Sequence, residues 1–394
     1  MRELARIAGI GTGLLLLAMG CGGAQAASAP AAWEIETVDH TGPGRYTSMR
    51  IDKDGNAHLV YVIEEADNSL KYAFWDHALK RWFTMLVDRS VGACSLTLDS
   101  RQRPHISYAD AGTASGSKLH YAYWDGVAWK KEALRLNSDV IAYYSSISLD
   151  ADDHPSLTFY EYRGPKGSDL SIRLRNVMFN GSVWDVRTVD GTAGSGKFNS
   201  MAAGPDGFPR IAYANVAAGT ESIRYAAWNG TSWTPEIIEG LQQNNGEAVG
   251  YSAAIAVYKD GTPHIAYMNE SLPQLRYAVR RNGKWQIKIV GRLAGIGYPD
   301  RNSIALDNDG NPYVGYYDAG NATLKLAFEH GGEWVVGRVD SGGGFTSSVQ
   351  IANGEIWISY TDDSNSGVKV AKTQLRALWG LADVPKDGSA DARK

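Results

Sequence analysis

Cysteine is nearly absent: Cys21 and Cys94 are the two that stand in 394 residues. With Cys21 lost or modified during export, Cys94 is alone in the mature chain, and no intramolecular disulfide forms. Packing must then supply the stability. Cys94 lies in the apolar run Ala93-Cys94-Ser95-Leu96 with no catalytic partner nearby, so it reads as a small core residue. Positive charge is also scarce. The formal net charge is −4, and there is no Lys/Arg block or basic stripe of the kind a phosphate backbone requires. Nucleic acid is therefore not an expected partner. The apolar run Ile7 to Met19 is too short to span a bilayer, and no segment is long and periodic enough for a helix.

That short run follows Arg2 and Arg6, the layout of an export signal, which is expected over residues 1–26. Two endings compete. Ala24-Gln25-Ala26 fits cleavage before Ala27, whereas Leu17-Ala18-Met19-Gly20-Cys21 resembles a bacterial lipobox with Ala18 where leucine is usual, which would lipidate Cys21. Either ending puts the mature protein in the periplasm, on the outer membrane or outside the cell. Membrane contact is expected only through a lipid at Cys21.

Glycine is abundant, 44 residues, and it punctuates a repeat. The clearest copy runs from Ser303-Ile304-Ala305-Leu306-Asp307 through Asp309-Gly310-Asn311-Pro312 and Tyr313-Val314-Gly315-Tyr316 to Gly332-Glu333-Trp334 and Asp340. The frame recurs from Ser48, Ser95, Ser146, Ser200, Ala254 and Ser348, at spacings of about 45 to 54 residues, the period of a propeller blade. Each copy holds four short runs rich in Val, Ile, Tyr, Trp and Thr. Asp-Gly turns such as Asp54-Gly55 and Asp260-Gly261 join the first two, and Gly-x-x-Trp corners such as Asn229-Gly230-Thr231-Ser232-Trp233 join the last two. A four-stranded antiparallel meander is one blade. The seventh copy lacks a fourth strand after Val368-Lys369-Val370-Ala371. Trp33-Glu34-Ile35-Glu36-Thr37-Val38-Asp39 matches that missing piece, so the expected fold is all-β: a seven-bladed β-propeller over residues 33–373, closed by strand 33–39. Residues 375–394 read as a C-terminal tail, pinned at its start by Trp379.

These residues resemble a group of secreted bacterial propellers with repeats of the form S-x-x-L-D-x-x-G-x-P-H-I-x-Y followed by L-x-Y-A-x-W-D-G-x-x-W. Pro104-His105-Ile106-Ser107-Tyr108, Pro263-His264-Ile265-Ala266-Tyr267 and Leu119-His120-Tyr121-Ala122-Tyr123-Trp124-Asp125-Gly126 carry the likeness. The (Asp/Asn)-Gly-x-x-Trp corner is similar to a degenerate Asp-box of sialidase-like propellers, and Tyr-Ala-x-Trp-(Asp/Asn)-Gly resembles fucose-binding lectin propellers. The full Ser-x-Asp-x-Gly-x-Thr-Trp box is absent, and Pro209-Arg210-Ile211 occupies the Pro-His-Ile slot of the fourth blade, so no catalytic residue follows from the resemblance.

The repeat sorts the loops. The short turns of both kinds fall on one face, while the variable connections fall on the other, where a site is expected near the channel. Two rings belong to that mouth. Asp110, Asn215, Asn269, Asp318 and Asp362 follow the second strands, with Glu161 close by; an Asp or Asn there either caps its own loop or meets a ligand. Arg45, Tyr46, Tyr143, Tyr144, Asn199, Tyr251, Asp300 and Arg301 precede the first strands, and Tyr317 joins them. Aromatic rings beside acids, amides and arginine suit sugars, whose apolar faces stack and whose hydroxyls need donors and acceptors. The leading expectation is a noncatalytic glycan-binding propeller of the cell surface or envelope. Its rivals are a scaffold for an envelope protein and a glycosidase or polysaccharide lyase using Glu161, Asp300 or Glu270. No cofactor or metal is expected. The P-loop-like Gly191 to Lys197 has Phe198 after it and no helix, and Asp52 to Gly55 and Asp307 to Gly310 are hairpin turns too short for calcium. His58, His105 and His264 hold equivalent positions in different blades, too far apart to share a metal, and read as packing or hydrogen-bonding residues.

Overall fold

A computed structural model of the chain describes residues 33–64, 68–89, 91–110, 118–136, 141–162, 172–241, 246, 250–297, 302–362 and 367–382. The export segment with Cys21, the positions Asp300 and Arg301, and residues 383–394 lie outside the described residues. The described chain forms seven four-stranded antiparallel sheets. Six follow chain order, beginning with blade 1 (Gly44–Ile51, Ala57–Ile63, Ser69–Asp76, Arg81–Asp88). Blade 7 is composite. Its strands Gly343–Ala352, Glu355–Asp362 and Gly367–Gln374 are completed by Glu34–Asp39, in register Glu34↔Lys372, Ile35↔Ala371, Glu36↔Val370 and Thr37↔Lys369.

Burial follows position in the blade. The second strands Ala57–Ile63, Pro155–Tyr162 and Pro263–Asn269 are buried throughout, since strands flank them on both edges and neighbouring blades cover both faces. The outermost strands, such as Arg81–Asp88 and Lys284–Arg292, are largely exposed. The hairpin chemistry is as the sequence implies: Gly310 takes φ 85°, and the Asp307 carboxylate accepts the N–H groups of Asp309 and Asn311. At the other corners, Asp125 accepts the Val127 and Ala128 N–H groups, and Asn180 those of Ser182 and Val183.

The innermost strands contact one another around the ring. Each is a sheet edge whose outward N–H groups need partners. The repeat serine supplies them. Ser48 Oγ accepts the Leu96 N–H of the next blade at 3.1 Å; Ser146 serves Met201 at 3.0 Å, Ser200 serves Ile255 at 3.4 Å, Ser303 serves Val349 and Ser348 serves Met49 at 3.1 Å. Ala254 departs from this pattern.

One expectation changes. Leu375–Ala382 is a helix rather than a plain tail, with Leu378 buried in the cluster around Tyr313 and Ile356, while Trp379 stacks on His330 at 6.1 Å. Among the described residues no helix is long and apolar enough to cross a membrane.

Candidate functional site

The innermost strands reach the variable-loop face through a break in register, between Arg45 and Ser48 in blade 1, Tyr143 and Ser146 in blade 3, Lys197 and Ser200 in blade 4, and Tyr251 and Ala254 in blade 5. At each break one residue takes the left-handed backbone: Tyr46 (φ 54°), Tyr144 (φ 48°), Phe198 (φ 52°) and Ser252 (φ 54°). Bulky side chains rarely adopt this conformation, and three aromatic residues hold it at one level of the ring. The bulge turns their rings inward. Phe198 lies 4.5 Å from Tyr251 and 5.4 Å from Tyr144, and Tyr144 lies 5.5 Å from Tyr160. Tyr46 packs both against the cluster of blades 1 and 2 and against one drawn from blades 3 to 6, which places its ring at the channel mouth. Tyr143, beside this collar, is 36% exposed and lies over Tyr160 at 5.2 Å.

Tyr46, Tyr144 and Tyr251 of the expected mouth are therefore together, with Tyr144 and Tyr251 buried, while Tyr317 is buried against Phe345 at 4.5 Å. Arg45 is exposed and pairs with Glu64 at 2.7 Å. Asn199 is buried, accepting from Thr158 Oγ1 at 2.8 Å and donating to the Gly196 carbonyl.

The ring of acids and amides has other partners close at hand. Asn215 accepts the Ala217 N–H and donates to the Ala193 carbonyl; Asn269 accepts the Leu272 N–H; Asp318 accepts the Ala294 and Gly295 N–H groups. Asp318 also pairs with Lys325 at 2.7 Å, Asp362 with Lys369 at 2.7 Å, Asp110 with His120 at 2.7 Å and Glu161 with Arg175 at 3.2 Å. Asn215, Asn269, Asp318, Asp362 and Glu161 are buried, and Asp110 is partly exposed. Of the acids considered for catalysis, Glu161 is thus buried in blade 3, Glu270 is exposed beyond a strand of blade 5, and Asp300 is outside the described residues.

Beneath the mouth lies a network that sequence reasoning missed. An acid ending one blade's outermost strand accepts a tyrosine hydroxyl from the next blade's second strand and pairs with a cation of that blade. Asp39 meets Tyr61 at 2.9 Å and Lys71 at 3.1 Å; Asp190 meets Tyr213 at 2.8 Å and Arg224 at 2.9 Å; Glu239 meets Tyr267 and Arg276; Asp340 meets Tyr360 at 2.6 Å and Lys369. Asp88 takes Tyr108 at 2.7 Å, with Lys131 as its cation. Burial alone would raise the Asp190 carboxyl, but hydrogen bonds from Thr192 and Tyr213 and the Arg224 charge hold it below the usual carboxylate range. Where the acid is absent the partner also changes at one junction: Leu134 and Phe159 pack in one apolar cluster. The signal was the Val-Asp that ends four of the outermost strands, at Asp39, Asp88, Asp190 and Asp340, together with the repeat tyrosine of the second strands.

The equivalent histidines sit near the short-turn face. Each faces a tyrosine hydroxyl through Nδ1: His58 to Tyr72 at 2.7 Å, His105 to Tyr121 at 2.6 Å and His264 to Tyr277 at 2.6 Å. Burial pushes the His264 imidazole down to about 4, with Arg281 adding to the effect. On the same face Asp150, Asp152 and His154 bring ligand atoms within 4.8 Å of one another, but Asp150 Oδ1 already accepts the Asp152 and His154 N–H groups that shape the turn.

Between the two faces runs a channel of about 620 Å³ lined by all seven innermost strands. Its lining begins at Phe198 and at Thr47, Ser145 and Ser252, one residue along from Tyr46, Tyr144 and Tyr251, and reaches Asp150 and Asp153 beside the short turns.

No family model matches the sequence, and a search against curated proteins returns no significant match. Solved structures do match. The fold is similar to that of the ulvan lyase of polysaccharide lyase family PL25, bound to a GlcA(1-4)Rha3S saccharide, with TM-score 0.55 and 12% identity over 86% of this chain and 95% of that one. It is also similar to a Penicillium chrysogenum alpha-L-arabinanase complexed with arabinobiose (TM-score 0.51, 10% identity, 87% and 98% covered) and to the Aleuria aurantia lectin (TM-score 0.50, 14% identity, 77% and 96% covered). At such identities the likeness is one of fold.

Proposed function

We propose that this chain is a carbohydrate-binding propeller whose site is the variable-loop face, and that it binds without catalysis. The carrying observation is the collar of Tyr46, Tyr144 and Phe198 held at positive φ around one mouth of the channel, with the half-exposed Tyr143 ring beside it. Bulky aromatic residues held in this conformation within the innermost strands support a functional demand on shape at this end. A half-exposed aromatic face stacks on the apolar face of a pyranose, and Arg45, Glu64 and Asp110 offer donors and acceptors to hydroxyls. That the similar folds include a lectin, an arabinanase and a lyase, all three bound to saccharides, supports carbohydrate as the ligand class.

The proposal includes export, with residues 1–26 removed or Cys21 lipidated, so that the loop face meets envelope or environmental glycans. A second reading, cleavage of a polysaccharide at the same mouth, draws support from the lyase and the arabinanase among the similar folds. One experiment separates the two. Purified mature protein is titrated against a panel of neutral and uronate-containing polysaccharides while reducing ends and unsaturated uronate absorbance are followed. Saturable binding without product, weakened about tenfold or more in Tyr143→Ala, is the expected result, since loss of one stacking ring costs on the order of 1 kcal/mol or more. Product release abolished by Glu161→Gln would replace the first reading with the second. Binding to no glycan, alongside capture of a defined envelope protein, would replace both with an assembly scaffold.

A further inference from the structure

The channel is not uniform. At the level two residues beyond the repeat serine, the seven innermost strands carry Arg50, Thr97, Ser148, Ala202, Ala256, Ala305 and Gln350. All seven line the cavity. Blades 7, 1, 2 and 3 therefore present an amide, a guanidinium and two hydroxyls, and blades 4, 5 and 6 present three methyl groups. Arg50 is the exceptional member. It is half-buried on the channel wall, where partial loss of water pulls its pKa down to about 10. One hydrogen bond, from Nη1 to the Met49 carbonyl at 2.7 Å, takes up one of its five N–H groups. Among the described residues no carboxylate pairs with it, whereas other half-buried cations in the ring have one, as Arg224 has Asp190 and Lys325 has Asp318. Asp150 and Asp153, at the far rim, are engaged by turn N–H groups and by Ser100.

We propose that the channel is a second binding site, for a small hydroxylated carboxylate whose charged end is held by the Arg50 guanidinium. A guanidinium partly shielded from water and without a carboxylate partner gains from an incoming anion. The planar guanidinium fork matches a carboxylate through two parallel hydrogen bonds, which a lysine cannot reproduce. Thr97, Ser148 and Gln350 stand at the same level to exchange hydrogen bonds with ligand hydroxyls, while the alanine side leaves room for a sugar-sized ring. The volume falls within the range of small-molecule pockets, about 300–1,000 Å³. Because aromatic rings crowd the opposite mouth, entry is from the short-turn face. The inference stands independently of the glycan reading, which concerns the other face.

The test is isothermal titration of the mature protein with glucuronate, with glucose as its neutral counterpart and inorganic sulfate as a bare oxyanion, in wild type, Arg50→Gln and Arg50→Lys. Expected are one glucuronate per chain, at least tenfold weaker binding in Arg50→Gln, a smaller loss in Arg50→Lys, no binding of glucose, and displacement of glucuronate by excess sulfate. Ligand-free Arg50→Gln is expected to melt no lower than wild type, since a partly desolvated charge without a carboxylate partner has been removed. Equal binding by Arg50→Gln, no heat with glucuronate, or glucose binding as tightly as glucuronate would overturn the proposal. So would sulfate binding with no glucuronate binding, or a fall of several degrees in the melting point of ligand-free Arg50→Gln, which would make Arg50 a structural residue.

Discussion

Individual side chains decide how neighbouring blades grip each other. Blade junctions fill the position at the end of the outermost strand in different ways: as an acid satisfied by a tyrosine hydroxyl and a cation, as with Asp190, Tyr213 and Arg224, as an apolar contact, as with Leu134 and Phe159, or as Gly291 beside Tyr316. Changing both partners together is nearly neutral, whereas a buried acid left without its partners costs about 1–3 kcal/mol, so the acid is found where its tyrosine and cation are present. The titration of these groups gives a stability profile with two windows. His264 is held at about 4 against 6.5 when unfolded, so the unfolded chain takes up the extra proton and stability falls as pH drops from 6.5 toward 4. Asp39, Asp88 and Asp190 are depressed below 3.8; their contribution is intact above that value and is lost as pH falls through their folded-state values. Urea unfolding midpoints between pH 7.5 and 3 are expected to fall in both windows, and His264→Gln is expected to shrink the upper one, to which the depressed His105 also contributes, while leaving the lower. An unchanged upper window in that variant would contradict the assignment.

At the scale of elements, the closing strand carries the most weight. Glu34–Asp39 covers the edge of Gly367–Gln374 and delivers Asp39 to Tyr61 and Lys71 of blade 1, so one segment both completes a sheet and joins the first blade to the last. Removing residues 33–39 is expected to lower the thermal midpoint by well over 5 °C and to promote association through the bared edge, measured by calorimetry and light scattering. A monomer of unchanged midpoint would mean that the ring closes without it. This strand was legible in the sequence because Trp33 to Asp39 repeats Trp184 to Asp190 residue by residue. The inner bulges were not. Their signature is a left-handed φ at Tyr46, Tyr144 and Phe198, residues whose intrinsic preference is the opposite, and tertiary packing rather than local propensity imposes it. The helix Leu375–Ala382 escaped notice for a related reason: eight residues give too little periodicity, and Leu378 is fixed by a pocket made elsewhere.

For the whole molecule, repetition made the ring and its two faces readable, since any residue fixed in one blade is fixed in seven. Function resists that logic, because it resides where blades differ. The repeat pointed to Asn215, Asn269 and Asp318 at the mouth, and the structure shows each engaged with loop backbone, while Arg50, which breaks the pattern of the channel wall, drew no attention in sequence because a lone arginine in a strand is unremarkable until its depth is known. The central claim is that polysaccharide is gripped by the loop-bearing mouth. Hydrogen exchange of the mature protein, with and without a saturating glycan, tests it most directly. The account predicts slowed exchange in residues 44–47, 141–145 and 195–199, with the turns at 53–56, 206–208 and 260–262 unchanged; protection confined to those turns, or to neither set, would contradict it.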